Sequence, residues 1–267
     1  MTPRSDTSAA APSARRPVIA VALALLLAGG AARAAPPARS ADAGIAGIAD
    51  ELLAGWLEDR PDLASLAGDH RGDRRLEPVT QASLGREAVR LDALARRLDS
   101  VPRADLSPGA ALRRDSLATR IAAARTELEV AHRWERDPAA YLDLADGAVG
   151  WLLEHGTGSA CARVRAVTRR LERVPDVLRA ARVNLRAPTV EAIEGALPGY
   201  ARVLDLYRAT LPDFAARCRD PRTAADLAQA DTAAVRAVED FADYLRADLL
   251  PRARVVHPAP SGPDSAR

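Results

Sequence analysis

Eight stretches of the sequence carry apolar residues three and four positions apart, and that spacing leaves little choice of fold. Ile45, Ile48, Leu52, Leu53, Trp56 and Leu57 form the first stripe, and Leu84, Leu91, Leu94 and Leu98 the second. Leu117, Ile121, Ala124, Leu128 and Ala131 follow, then Tyr141, Leu144, Ala145, Val149 and Leu152. Val164, Val167, Leu171 and Val174 lead into Val177, Leu178, Ala181 and Leu185 after Pro175. Val203, Leu204, Tyr207, Leu211 and Phe214 precede a long last stripe through Leu227, Ala234, Val238, Phe241, Leu245 and Leu249. Each runs down one face of an α-helix and must be buried against a neighbour. Alternating runs of β-branched residues are nearly absent, so the fold class is all-α: a multi-helix array or bundle of antiparallel helices without a substantial sheet.

The helix starts are marked as well. Ser107-Pro108, Asp137-Pro138 and Asp220-Pro221 each set a capping side chain before a proline suited to the first helical position. Thr223 and Asp226 have the spacing of a capping box. No fixed-period repeat is visible.

The N-terminus reads as an export signal: Arg4, Arg15 and Arg16 precede the apolar run Val18–Ala28, and Ala32-Arg33-Ala34 offers a cleavage site. The run is shorter than the roughly 20 residues a membrane span needs. Residues 1–34 are thus a signal peptide, 35–41 a linker, 42–253 the helical domain and 254–267 a Pro- and Ser-rich disordered tail. The expected location is periplasmic or secreted, with no membrane contact after cleavage. Removing Arg4, Arg15, Arg16 and Arg33 against Asp6 shifts the formal net charge from +2 to −1, which argues against nucleic acid as a partner. Cys161 and Cys218 meet an oxidising compartment, where they either pair or remain two buried thiols.

Little in the sequence resembles catalytic machinery. No His is followed by Glu, and none has another His four residues away, so a helical zinc motif is missing. His132 and Glu135 stand three apart and could share a helix face, half of a ligand set at best. Glu154 to Ser159 (EHGTGS) lacks the glycine pattern of a nucleophile elbow and reads as a helix stopped at Gly156 with a new one starting near Ser159. The segment from Leu63 to Leu76, LASLAGDHRGDRRL, gathers Asp69, His70 and Asp73. A His between carboxylates can serve as a general base, which makes Asp69 and His70 the catalytic candidates. Arg71, Arg74 and Arg75 can equally pair those carboxylates and leave a fixed polar turn, the favoured reading.

Four ordered blocks carry a family resemblance: LEDRPDLASLAGDHRGDRRL from Leu57, WERDPAAYLDLADGAVGWLL from Trp134, RVRAVTRRLERVPDVLRAARVNLRAPTVEAIEGALPG from Arg163 and FADYLRADLLPRA from Phe241. Together they resemble the N-terminal half of the bacterial domain-of-unknown-function family 885. The resemblance implies a mostly helical, exported protein related to zinc peptidases. It also implies that the H-E-x-x-H helix and its zinc belong to a C-terminal half beyond this sequence. The chain is therefore expected to hold no cofactor or metal of its own and to be inactive alone, with peptides or the missing half as partners. The alternative is a non-catalytic periplasmic binding or interaction module. The turn Gly68-Asp69-His70-Arg71 matches the family's opening signature and is expected to matter for folding or for lining a cleft.

Overall fold

The computed structural model describes residues 40–254. The signal segment, most of the linker and the tail from Val255, with His257, lie outside the described residues. The chain forms α1 (Ser40–Asp59), α2 (Pro61–Leu66), α3 (Gln81–Asp99), α4 (Pro108–Thr126), the single turn α5 (Arg133–Arg136), α6 (Pro138–His155), α7 (Ala160–Leu171), α8 (Val174–Asn184), α9 (Val190–Ala216) and α10 (Pro221–Tyr244). Among the described residues no strand forms; Thr189 and Arg254 make one isolated bridge. The fold is an all-α multi-helix array.

The caps explain where the helices begin. Thr80, Ser107, Asp137, Ser159 and Thr189 each accept a first-turn backbone N–H, at 3.1, 3.4, 2.9, 3.2 and 3.1 Å. The start of α10 differs from the Thr223–Asp226 box. Asp220 is the cap, and the Thr223 hydroxyl donates back to its carboxylate, which draws Thr223 into the first turn. Helix α9 passes through Pro198 and Pro212 for 27 residues, held by its buried face rather than by propensity.

Two hydrophobic cores divide the helices. In the first lobe α1, α3 and α4 pack around Ile45, Ile48, Leu52, Leu91, Leu94, Leu98, Leu117 and Ile121. In the second, α6 to α10 enclose Tyr141, Val149, Leu171, Tyr200, Tyr207, Phe214 and Phe241. Burying three phenols demands acceptors. Tyr141, Tyr200 and Tyr207 donate to the carbonyls of Trp134, Pro138 and Ala145 at 2.7, 2.8 and 2.6 Å. Burial pushes all three hydroxyls well above the usual tyrosine range. Cys161 and Cys218 form a disulfide joining the start of α7 to the end of α9.

The segment from Ala67 to Thr80 crosses between the lobes and is fastened to the second. Arg170, 1% exposed, donates from Nε to the Asp73 carbonyl at 2.7 Å and from Nη1 to the Gly147 carbonyl at 3.3 Å. Asn184 donates to the Val79 carbonyl at 2.6 Å and accepts from Gln81 Nε2 at 2.8 Å. The lobes meet again at Glu127–Ala131, a π turn that ends with His132 at φ 47°. That left-handed residue breaks the helix between α4 and α5. His132 and Glu135 therefore do not share a continuous helix face, the possibility that their spacing had left open.

Candidate functional site

The polar turn is built on a carboxylate at its centre. Gly68 takes φ 88°, a conformation costly to any residue with a Cβ, and reverses the chain after α2. Asp69 then accepts from the Arg71 backbone N–H at 3.1 Å and from its guanidinium at 2.8 and 2.7 Å. These bonds hold the Asp69 carboxyl down at about 2. A group so firmly ionised is a poor proton acceptor near neutral pH. His70 turns away from Asp69, and its Nδ1 meets Asp73 Oδ2 at 3.2 Å. The other Asp73 oxygen accepts from the Ser65 hydroxyl, which also lies 2.8 Å from the Pro61 carbonyl. Ser65, Asp73 and His70 thus form a chain with the carboxylate in the middle. Nucleophilic catalysis needs the imidazole in the middle instead, bonded to the hydroxyl it deprotonates. Ser65 is only 4% exposed, so a substrate has no access to it. The geometry is that of a turn locked from within.

The open space lies on the other side of the crossing segment. A cavity of about 640 Å³ is bounded by the end of α1, the residues from Arg74 to Thr80, the first half of α3 and the start of α8. A second slot of about 240 Å³ opens beside it, with Trp56 from α1 and Trp134 from α5 among its walls. A third space of about 30 Å³ reaches Arg170, whose Nη2 has no hydrogen-bond partner. That volume suits a single water.

Glu77 borders all three spaces. No hydrogen bond reaches its carboxylate among the described residues, and its nearest partner is Arg60 Nε at 3.7 Å. Arg60 Nε is itself buried without an acceptor. Burial pushes the Glu77 carboxyl up to about 7, with Asp62 and Asp59 adding to the rise and Arg60 and Arg133 opposing it. A carboxyl in a cleft that titrates near neutrality is a mark of functional sites. Sequence reasoning passed over Glu77, because a lone Glu before Pro78 belongs to no motif.

Around Glu77 the charges are partly cancelled. Arg90 bridges Glu87 and Asp59, at 3.2 Å from the latter, and lies against Gly55, where a Cβ would overlap its guanidinium. Arg74 and Arg86 face the larger cavity and form no ion pair among the described residues.

Among the described residues no group of three or more His, Cys, Asp or Glu could hold a metal ion. His70 bonds Asp73, and His155 stacks on Trp151 with centroids 4.0 Å apart. No described helix is long and apolar enough to cross a membrane.

No curated protein matches this sequence. A solved structure described as a lipoprotein of unknown function from Shewanella oneidensis shares the fold, with TM-score 0.69 at 20% identity over 80% of this chain. The chain spans 38% of that protein's length. The sequence pattern of one family covers residues 61–266, which takes in the polar turn, the crossing segment and the whole second lobe. The chain belongs to that family, the bacterial proteins of unknown function DUF885.

Proposed function

We propose that this chain is an exported, non-catalytic helical body of a metallopeptidase-like protein, and that its inter-lobe cleft holds peptide. One observation carries the reading. The two adjoining cavities present charges of opposite sign: Arg74 and Arg86, without ion pairs among the described residues, face the larger, and Glu77, whose ion pair to Arg60 is 3.7 Å long, borders both. A peptide carries both charges on one chain, and a cleft with separated poles orients it. The self-contained Ser65–Asp73–His70 chain supports a structural role for the turn. Export is supported by the N-terminal signal pattern and by the description of the Shewanella neighbour as a lipoprotein.

The test is titration of short peptides into the purified chain, with hydrolysis followed in parallel. Saturable binding without cleavage is the expected result. Cleavage that a chelator abolishes would reject the non-catalytic reading.

A second reading is favoured by the extent of the match. The chain spans 38% of the Shewanella protein, so further protein mass, such as a metal-bearing C-terminal half, is a partner for the same body. Cleavage that appears only when such a half is added would support it.

A further inference from the structure

The slot beside the main cavity has a composition of its own. Its two indoles come from different lobes, Trp56 from α1 and Trp134 from α5, and both are half-buried. Arg133 already sits over Trp134 at 5.9 Å from the ring centroid, held by Asp143 at 2.7 Å and Asp137 at 3.4 Å. Four carboxylates line the slot, Asp59, Glu77, Glu87 and Glu127, against the guanidinium groups of Arg60 and Arg133. Arg90, outside the slot, pairs with both Asp59 and Glu87 and offsets one of their two charges. Four carboxylates against Arg60, Arg133 and Arg90 leave one net negative charge, and Glu77, 18% exposed, is held by Arg60 at 3.7 Å, beyond hydrogen-bond range. A mostly buried carboxylate whose ion pair is this long gains from a closer donor.

We infer that the slot between Trp56 and Trp134 binds one basic side chain, an ammonium or guanidinium on an apolar stem, with Glu77 as its counter-ion. The inference rests on the peptide-holding reading above and names the part of the peptide that this slot takes. The stem packs on the indoles and on Leu91 and Leu128. The charged head meets indole faces and the carboxylate, the combination by which proteins capture cations. A volume of about 240 Å³ takes a side chain and excludes larger structures. Glu77 is faced by Asp59 at the end of α1, by Arg60 just after it, by Asp62 of α2 and by Arg133 of α5. An arriving cation adds to the attraction of Arg60 and Arg133 and drives the last proton from the Glu77 carboxyl, which on its own titrates near 7. Binding therefore strengthens as pH rises through 7.

Calorimetric titration of the full chain at pH 8 tests this with two matched pairs: n-pentylammonium against n-pentanol, and acetyl-Ala-Lys-Ala against acetyl-Ala-norleucine-Ala. The charged member of each pair is expected to bind about tenfold tighter or better, with about tenfold lost in Glu77→Gln and again on moving to pH 6. Trp56→Leu is a second variant should Glu77→Gln not fold, and it too is expected to weaken the charged probes. Equal binding within both pairs, or an unchanged affinity in both variants, overturns the inference. Tight binding of the norleucine peptide with no preference for lysine would leave the peptide reading standing and remove the cation slot. Tight binding of pentylammonium with neither peptide bound would do the reverse.

Discussion

The two lobes are made of the same kind of helix and are secured in different ways. The first lobe buries Ile, Leu and Ala and little else, and apart from Arg90–Glu87 beside the cleft its ion pairs, such as Arg97–Glu51 and Arg103–Asp115, are largely exposed. Such pairs contribute little. The second lobe buries three hydrogen-bonded tyrosines, Asn184 and Arg170, and closes a disulfide. Aliphatic packing tolerates small rearrangements, whereas directed hydrogen bonds accept one geometry. The second lobe is therefore the rigid partner, and the first is the one able to shift against it.

Four measurements can break or sharpen that contrast. Removing the disulfide by Cys161→Ala with Cys218→Ala opens a loop of 57 positions, and denaturant unfolding should show a loss of about 4 kcal/mol. Hydrogen exchange in α7 to α9 should rise while α4 stays as it was; a uniform rise would show that the lobes unfold as one. Leu94→Ala in the first lobe should cost about 3 kcal/mol by cavity formation, and exchange should then rise first in α1, α3 and α4.

At the junction, the folded-state value of Glu77 lies near 7 against an ordinary 4.5. Its contribution to stability is present below 4.5 and is lost as pH rises through 7. Glu77→Gln should consequently raise stability at pH 8 by up to about 3 kcal/mol and change nothing near pH 4. An equal effect at both pH values would show that the carboxylate is solvated. The smallest effect belongs to Tyr207→Phe, about 1 kcal/mol, because the Ala145 carbonyl in α6 loses the hydroxyl that donates to it while the ring keeps its packing. A null result there would make the second lobe as aliphatic in character as the first.

The helices were legible from the sequence because periodicity and caps are local. Ser107, Asp137 and Asp220 stand where their prolines placed them, and the stripe Val164–Val167–Leu171–Val174 is wholly buried. The division into two cores was not legible, since residues 60–80 look no more like a linker than other turns. Glu77 was invisible for a related reason. Its acidity is set first by burial and then by Arg60, Asp62, Arg133 and Asp59, and both the burial and the approach of Arg133 come only with folding. The polar turn drew attention for its composition, yet what it does is decided by which atom of Asp73 meets Ser65 and which meets His70. The cysteine pairing stayed open in the sequence because 57 positions of separation say nothing about proximity.

The anchoring of the crossing segment has a mechanical side. Asp73 hangs from Arg170 and Val79 from Asn184, so Glu77 between them is fastened to the second lobe, and the Gln81–Asn184 bond ties the start of α3 to the same point. Trp56 travels with the first. A guest in the proposed slot would touch Trp56 of the first lobe and Glu77 beside the second at once, and would so tie the two cores together.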